Sequence, residues 1–239
     1  MESIADRATG AKVLEALRRS LRVDWRDYAA LIPLKEDGSP FAVLIAIILS
    51  QNTNDKNAIA AYRRLRSMVG VRPEDVLSAP REVIEEAIRT SGMYRQKAGA
   101  IIGAAKAIMK AGGEEALETL PPEEVRRILE GVRGIGRKTV DVFLNVTRGV
   151  DVFAVDTHAQ RIAWRWGLAP RNASYEKVSS ALASFFRGQD LGEAHRLLIA
   201  LGRSYCTARR PRCRECPLRE VCPYPSGESR SAGQVEARG

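Results

Sequence analysis

Residues 121–146 read PPEEVRRILEGVRGIGRKTVDVFLNV, and they set the terms for the rest of the chain. An amphipathic segment, PPEEVRRILE, runs into Gly131-Val132-Arg133-Gly134-Ile135-Gly136-Arg137-Lys138-Thr139 and resumes as VDVFLNV, the pattern of two helices joined by a glycine-rich turn. Glycines let the backbone take positive φ and bring its N–H groups close to another molecule. The second helix then opens with unpaired N–H groups and the positive end of its dipole, which together cradle a phosphate. A nucleotide-binding P-loop is the competing motif. It requires G-x-x-x-x-G-K-[ST] after a strand, whereas Gly131 to Gly136 is followed by Arg137 and preceded by a helix. A plain helix–helix turn that sends Ile135 into the core remains open.

Outward from this turn, almost every periodic segment predicts helix. Ala11 to Val23 carries Val13, Leu14, Leu17 and Leu21 on one face, and comparable stripes mark 54–69, 80–90, 96–110, 121–129 and 174–186. The longest apolar run, FAVLIAIIL from Phe41 to Leu49, falls far short of the roughly 20 residues of a membrane span and predicts a buried core helix. Val150 to Val155 is the one β-branched run, and its shortness predicts an extended connector into Asp156. The expected class is all-α, with a site between helical bundles. Residues 226–239 are Ser, Gly, Glu and Arg with little to bury, which predicts a disordered tail.

The chain has 239 residues, 45% of them hydrophobic, and a formal charge of +9. This is enough for one large or two modest domains, and it makes a polyanion the first partner to consider against a merely solvated basic surface. All four cysteines, Cys206, Cys213, Cys216 and Cys222, crowd into one C-x6-C-x2-C-x5-C segment. Structural zinc sites present two tight C-x2-C pairs, and here there is one, so the spacing favours a [4Fe-4S] cluster. Zinc stays a competitor. Disulfides do so less, since MESIADRATG has no apolar signal core and predicts a reducing cytosol. A ligated cubane carries about −2 with its thiolates and leaves the chain basic, near roughly +7. Arg209, Arg210 and Arg212 stand between the first two cysteines, with Arg203 before them, as phosphate contacts or as a solvated rim. His158 and His195 are the only histidines, which argues against histidine-based metal hydrolysis or a histidine-centred triad.

Gly134-Ile135-Gly136-Arg137-Lys138-Thr139, with Val155-Asp156-Thr157-His158 following so that Asp156 stands eighteen residues after the lysine, resembles the helix-hairpin-helix and Gly/Pro-Asp signature of DNA glycosylases. The cysteine pattern narrows the resemblance to the endonuclease III branch, over a span from Ser39 to Tyr224. It implies an all-α fold of two helical domains flanking a DNA-binding cleft: a helical barrel over 40–149 ending in the hairpin, and a cluster domain over 150–225 joined by the N-terminal helices 1–39. It also implies a [4Fe-4S] cofactor on the four cysteines and a monomer acting on double-stranded DNA with damaged bases or abasic sites. The setting would be cytoplasmic, at a prokaryotic nucleoid, without a membrane.

By the same resemblance, Lys138 is the nucleophile at C1′ and Asp156 its partner, facing each other across the cleft. Desolvation and neighbouring cations can lower a lysine pKa enough for such attack. Branches that only remove the base lack a nucleophile at this position, so a lysine implies a second, strand-nicking activity. Asp156 reads equally as an N-cap. Gly134, Gly136 and Arg137 would hold a phosphate, and Arg133 stands where this hairpin commonly has proline. Base flipping leaves a gap to be filled. In Ser50-Gln51-Asn52-Thr53-Asn54-Asp55 either Gln51 or Asn52 takes the wedge position, or both amides cap the next helix. Met93, in Gly92-Met93-Tyr94, would be the apolar wedge or an ordinary buried methionine. A non-catalytic DNA-binding or redox-sensing protein and an iron-sulfur electron carrier are the alternatives outside this reading.

Overall fold

The computed structural model describes residues 2–224, and the tail expected over 226–239 lies outside them. No strand occurs among the described residues. Thirteen α-helices do: α1 Gly10–Ser20, α2 Leu31–Glu36, α3 Pro40–Ser50, α4 Asp55–Met68, α5 Pro73–Ser78, α6 Arg81–Ala87, α7 Tyr94–Lys110, α8 Ala116–Thr119, α9 Pro122–Glu130, α10 Arg137–Arg148, α11 Thr157–Arg165, α12 Tyr175–Phe185 and α13 Leu191–Ser204. They form two compact units. One is Asp24–Ala154, and the other combines the two ends of the chain, up to Val23 and from Val155 on.

The central unit is organised by α3. Phe41 through Leu49 are all buried, none more than 5% exposed, as a helix apolar on every side requires. Helices α2, α4, α7, α8 and α10 surround it. Its start is pinned at two levels: Ser39 Oγ accepts the Ala42 N–H at 3.0 Å, and the Glu114 carboxylate takes both the Ser39 hydroxyl at 2.6 Å and the Phe41 N–H at 3.0 Å. Pro40 at the first position supplies a φ already suited to the helix.

The unit boundary departs from the sequence expectation. Residues 24–39, expected to pack with the C-terminal region, belong to the central unit. The reason is local: Ala29 and Ile32 are buried in the core built around α3, and the Ala29 N–H donates to Asp55 at the start of α4 at 3.2 Å. Only the first part of the N-terminal stretch joins the other unit. There α1 packs on α13 with Arg18 gripping Glu193 through two bonds of 2.8 and 2.6 Å. Trp166, Phe185 and Phe186 pack together behind it, with ring centroids 4.9 to 6.3 Å apart. Gly10 opens α1 because a Cβ there would lie 2.1 Å from the Phe185 carbonyl oxygen.

Helices α9 and α10 are tied by a buried charge pair. Asp141 is 1% exposed and lies 2.7 Å from Arg126 Nη1. Removing Arg126 takes away a close positive charge from a carboxylate in a low-dielectric interior. Arg126→Ala is therefore expected to cost about 3 kcal/mol of unfolding free energy, read as a lower midpoint in denaturant titration. A loss below ~1 kcal/mol would place the pair among the weak surface bridges.

Candidate nucleic-acid interface and cysteine chamber

The glycine turn is built as the sequence implies. Helix α9 stops at Gly131, Ile135 turns inward at 4% exposed, and Gly134 takes φ +95° beside Ala100, whose Cβ would stand 3.2 Å from an added one. No side chain caps α10, whose N-cap is Gly136. The helix thus presents backbone N–H groups and its positive dipole end beside the exposed side chains of Arg137 and Lys138.

Two neighbouring amides receive different settings. Gln51 is half-buried, and its Nε2 donates to the Gly134 carbonyl at 3.3 Å and to Thr139 Oγ1 at 3.1 Å. It braces the hairpin. Asn52 is exposed, with Nδ2 3.7 Å from Met93 Sδ. Neither amide caps α4; Asn54 does, accepting the Asn57 N–H at 2.8 Å. Met93 is 50% exposed rather than buried. Asn52 at φ 51° and Met93 at φ 47° are the non-glycine residues of positive φ among those described. Asn adopts that conformation readily, whereas for Met it costs about 1–2 kcal/mol and persists where the surroundings over-determine it. Behind Met93, Tyr94 carries the Arg89 and Arg95 guanidinium groups 5.0 and 5.7 Å from its ring centroid.

In the other unit Asp156 is the N-cap of α11, its Oδ1 accepting the Ala159 N–H at 2.7 Å. His158 follows it, half-buried and wedged against Gly202, where a Cβ would lie 2.2 Å from the imidazole Nδ1. Burial lowers the His158 pKa against the opposing pull of the Asp156 charge. Arg161 Nη2 lies 2.9 Å from His158 Nδ1, so the neutral ring with Nδ1 as acceptor suits that contact. These contacts pack His158 between α11 and α13.

The four cysteines line one chamber of about 570 Å³. Cys206 follows α13, Cys213 opens a 3-10 turn, Cys216 closes it, and the Cys222 N–H bonds the Leu218 carbonyl at 2.9 Å. All four are free thiols in this structure. Arg165, 5% exposed, donates to Cys206 Sγ at 3.1 Å and to the Thr207 and Ala208 carbonyls at 2.8 and 3.1 Å. Arg161 Nε donates to the Cys206 carbonyl at 2.9 Å. Burial raises the Cys213 and Cys216 pKa values and pushes Cys222 up to about 11, so ionised thiolates here need positive charge among them. Four soft donors on one chamber and a buried guanidinium fit an anionic cubane. The loop between the first two cysteines is braced by Thr207 Oγ1, which donates to the Arg210 carbonyl at 2.6 Å. Arg209 and Arg210 are exposed. Arg212 is engaged by Glu215 and lies over the Tyr205 ring, which makes it the least available of the three for phosphate.

The profile of the family described as HhH-GPD superfamily base excision DNA repair protein matches residues 45–187. The chain is 32% identical over 209 residues to endonuclease III of Sulfolobus acidocaldarius, covering 87% of this chain and 92% of that one. Against endonuclease III of Bacillus subtilis the identity is 35% over 184 residues, 77% and 81% of the two chains. A solved endonuclease III trapped as a covalent intermediate with DNA, an estranged-adenine complex, is 28% identical with a TM-score of 0.69, over 91% of this chain and 97% of that one. No helix among the described residues is long and apolar enough to cross a membrane.

Proposed function

Because the chain belongs to the HhH-GPD superfamily of base excision DNA repair proteins, alongside the endonucleases III, we propose that it excises oxidised pyrimidines and then nicks the strand, as a bifunctional glycosylase and AP lyase. Glycosylase chemistry on DNA is what the family performs. The lyase half rests on one observation: an exposed lysine, Lys138, in the first turn of an uncapped helix next to a glycine turn. A relative caught covalently on DNA supports it.

The damaged nucleotide leaves the stack, with Asn52 and Met93 entering the gap and the α10 N–H groups and Arg137 holding a phosphate. The Lys138 amine then attacks C1′. Its nitrogen lone pair forms the new N–C1′ bond as the glycosidic bond breaks, and that electron pair departs with the base, which takes up a proton. Loss of a proton from nitrogen and opening of the sugar ring leave a Schiff base. Abstraction of a C2′ proton expels the 3′ phosphate by β-elimination, and water then releases the amine. Asp156 supplies negative charge toward the cationic sugar while its own N-cap bond keeps it oriented. When bound, the cluster would cross-link Cys206, Cys213, Cys216 and Cys222 into one rigid basic loop. With four protein ligands it offers substrate no open position. Its thiolates fit a reducing compartment.

A thymine glycol duplex scored separately for base release and for nicking tests the reading; base release without nicking would remove the lyase half. The cofactor has its own test. Cys216→Ser is expected to lose the visible absorbance, iron and acid-labile sulfide of the purified protein. A wild-type protein that carries zinc instead would overturn the assignment.

A further inference from the structure

Lys97 sits where a core residue belongs. It is 3% exposed on α7, in helical register with the buried Ile101, Ala104 and Ile108. Its Nζ donates to two backbone carbonyls, Leu49 at 2.7 Å and Ser91 at 2.7 Å. Burial alone lowers its pKa, to about 8, and no charged side chain contributes to that shift. A buried ammonium without a carboxylate is costly, so what it binds needs an account.

Both carbonyls lead to exposed tips. Leu49 lies in the last turn of α3, three residues before Asn52, and Ser91 closes the 3-10 turn Arg89–Ser91 two residues before Met93. Asn52 and Met93 are the two positive-φ residues other than glycine among those described, and their side chains touch. Leu49 and Ser91 are themselves fully buried. One cation therefore joins the rigid roots of both tips.

We propose that Lys97 is a positioning residue that pre-forms the paired Asn52 and Met93 tips before DNA arrives. The inference rests on the reading above, in which those tips fill the gap left by the flipped base. Charge-assisted bonds to two carbonyls fix the spacing of the roots, and a tip already ordered loses less freedom when it enters the duplex. An apolar side chain would fill the same volume but leave two buried carbonyls without their donor.

The test uses Lys97→Met in the full, cluster-loaded chain, with helical circular dichroism and visible absorbance as the folding check. Base release from a thymine glycol duplex is expected to fall at least tenfold. Nicking of a single-stranded oligonucleotide with a preformed abasic site needs Lys138 but no wedge, and should stay within twofold. A 2-aminopurine opposite the lesion should lose its fluorescence rise on binding. Unchanged base release, or equal loss in both assays, overturns the proposal. Where Lys97→Met does not fold, hydrogen exchange on the wild-type chain decides. The Gln51, Ser91 and Gly92 amides carry backbone bonds and should be as protected free as bound to duplex; protection gained only with DNA overturns pre-formation. A wild-type protein inactive on every lesion would sink the glycosylase reading instead, and the exchange result would still judge whether the tips are pre-formed.

Discussion

Lys138→Ala is expected to abolish borohydride trapping on thymine glycol DNA and to lower base release by more than about a thousandfold. Affinity for undamaged duplex should stay within a few-fold. The separation follows from where the side chain stands. Lys138 is exposed in the first turn of α10, so truncation leaves no cavity, and the buried Ile135, Thr139 and Val140 that anchor the turn are untouched. As one cation among several near a phosphate, its loss should reduce the salt-dependence slope of binding by about one. Lys138→Arg sharpens the test. It keeps the positive charge, and hence the slope, but a guanidinium stays protonated and cannot attack C1′. Trapping that survives either substitution would remove Lys138 from the chemistry.

The features legible in the sequence were those written in local pattern. The buried run from Phe41 to Leu49 follows from neighbours a few residues away and stands as expected, while the inward Ile135 and the Asp156 cap match local readings that the sequence had left open beside the functional ones. The cysteine segment named its own chamber because all four thiols lie on one short stretch. Long-range features were not legible. Gln51 and Asn52 are adjacent amides in one turn, and they are told apart by a bond from Gln51 to Gly134, 83 positions on. Lys97 lies in the polar-looking stretch Tyr94-Arg95-Gln96-Lys97, and only its register with Ile101, Ala104 and Ile108 signals burial. The helix expected over 96–110 already holds that register, but a lysine within it reads by default as facing solvent. The unit boundary moved to Asp24 for a related reason. Helix α2 has six residues, too few to show a stripe, and its allegiance rests on Ile32 finding the α3 core.

Lys97 and the hairpin also bear on each other. Gln51 ties the end of α3 to the glycine turn, and Lys97 ties the same end to the root of Met93. The stretch from Leu49 to Asn52 is thus held from two sides within the central unit. Damage to the Gln51 contact should disturb the tip that Lys97 roots, so the two residues should show coupling in a double-mutant cycle rather than additivity.

Asp156→Asn is expected to lower base release by about a hundredfold to ten-thousandfold while leaving the melting temperature nearly unchanged. Asn ranks with Asp as an N-cap, and its side-chain oxygen can still accept the Ala159 N–H bonded at 2.7 Å by Asp156. The substitution therefore preserves the start of α11 and removes one negative charge. Asp156→Ala removes both and should in addition cost about 1 kcal/mol of stability. The pair separates two roles that a single variant confounds. If the aspartate only caps the helix, Asn is as active as wild type and Ala alone is impaired, through folding. If its charge serves the reaction, Asn and Ala are equally slow on duplex substrate though unequal in stability. Nicking of a preformed abasic site begins after the base has left, so it should suffer less than base release in both variants. Equal losses in the two assays would assign Asp156 to the proton transfers of elimination rather than to the cationic sugar.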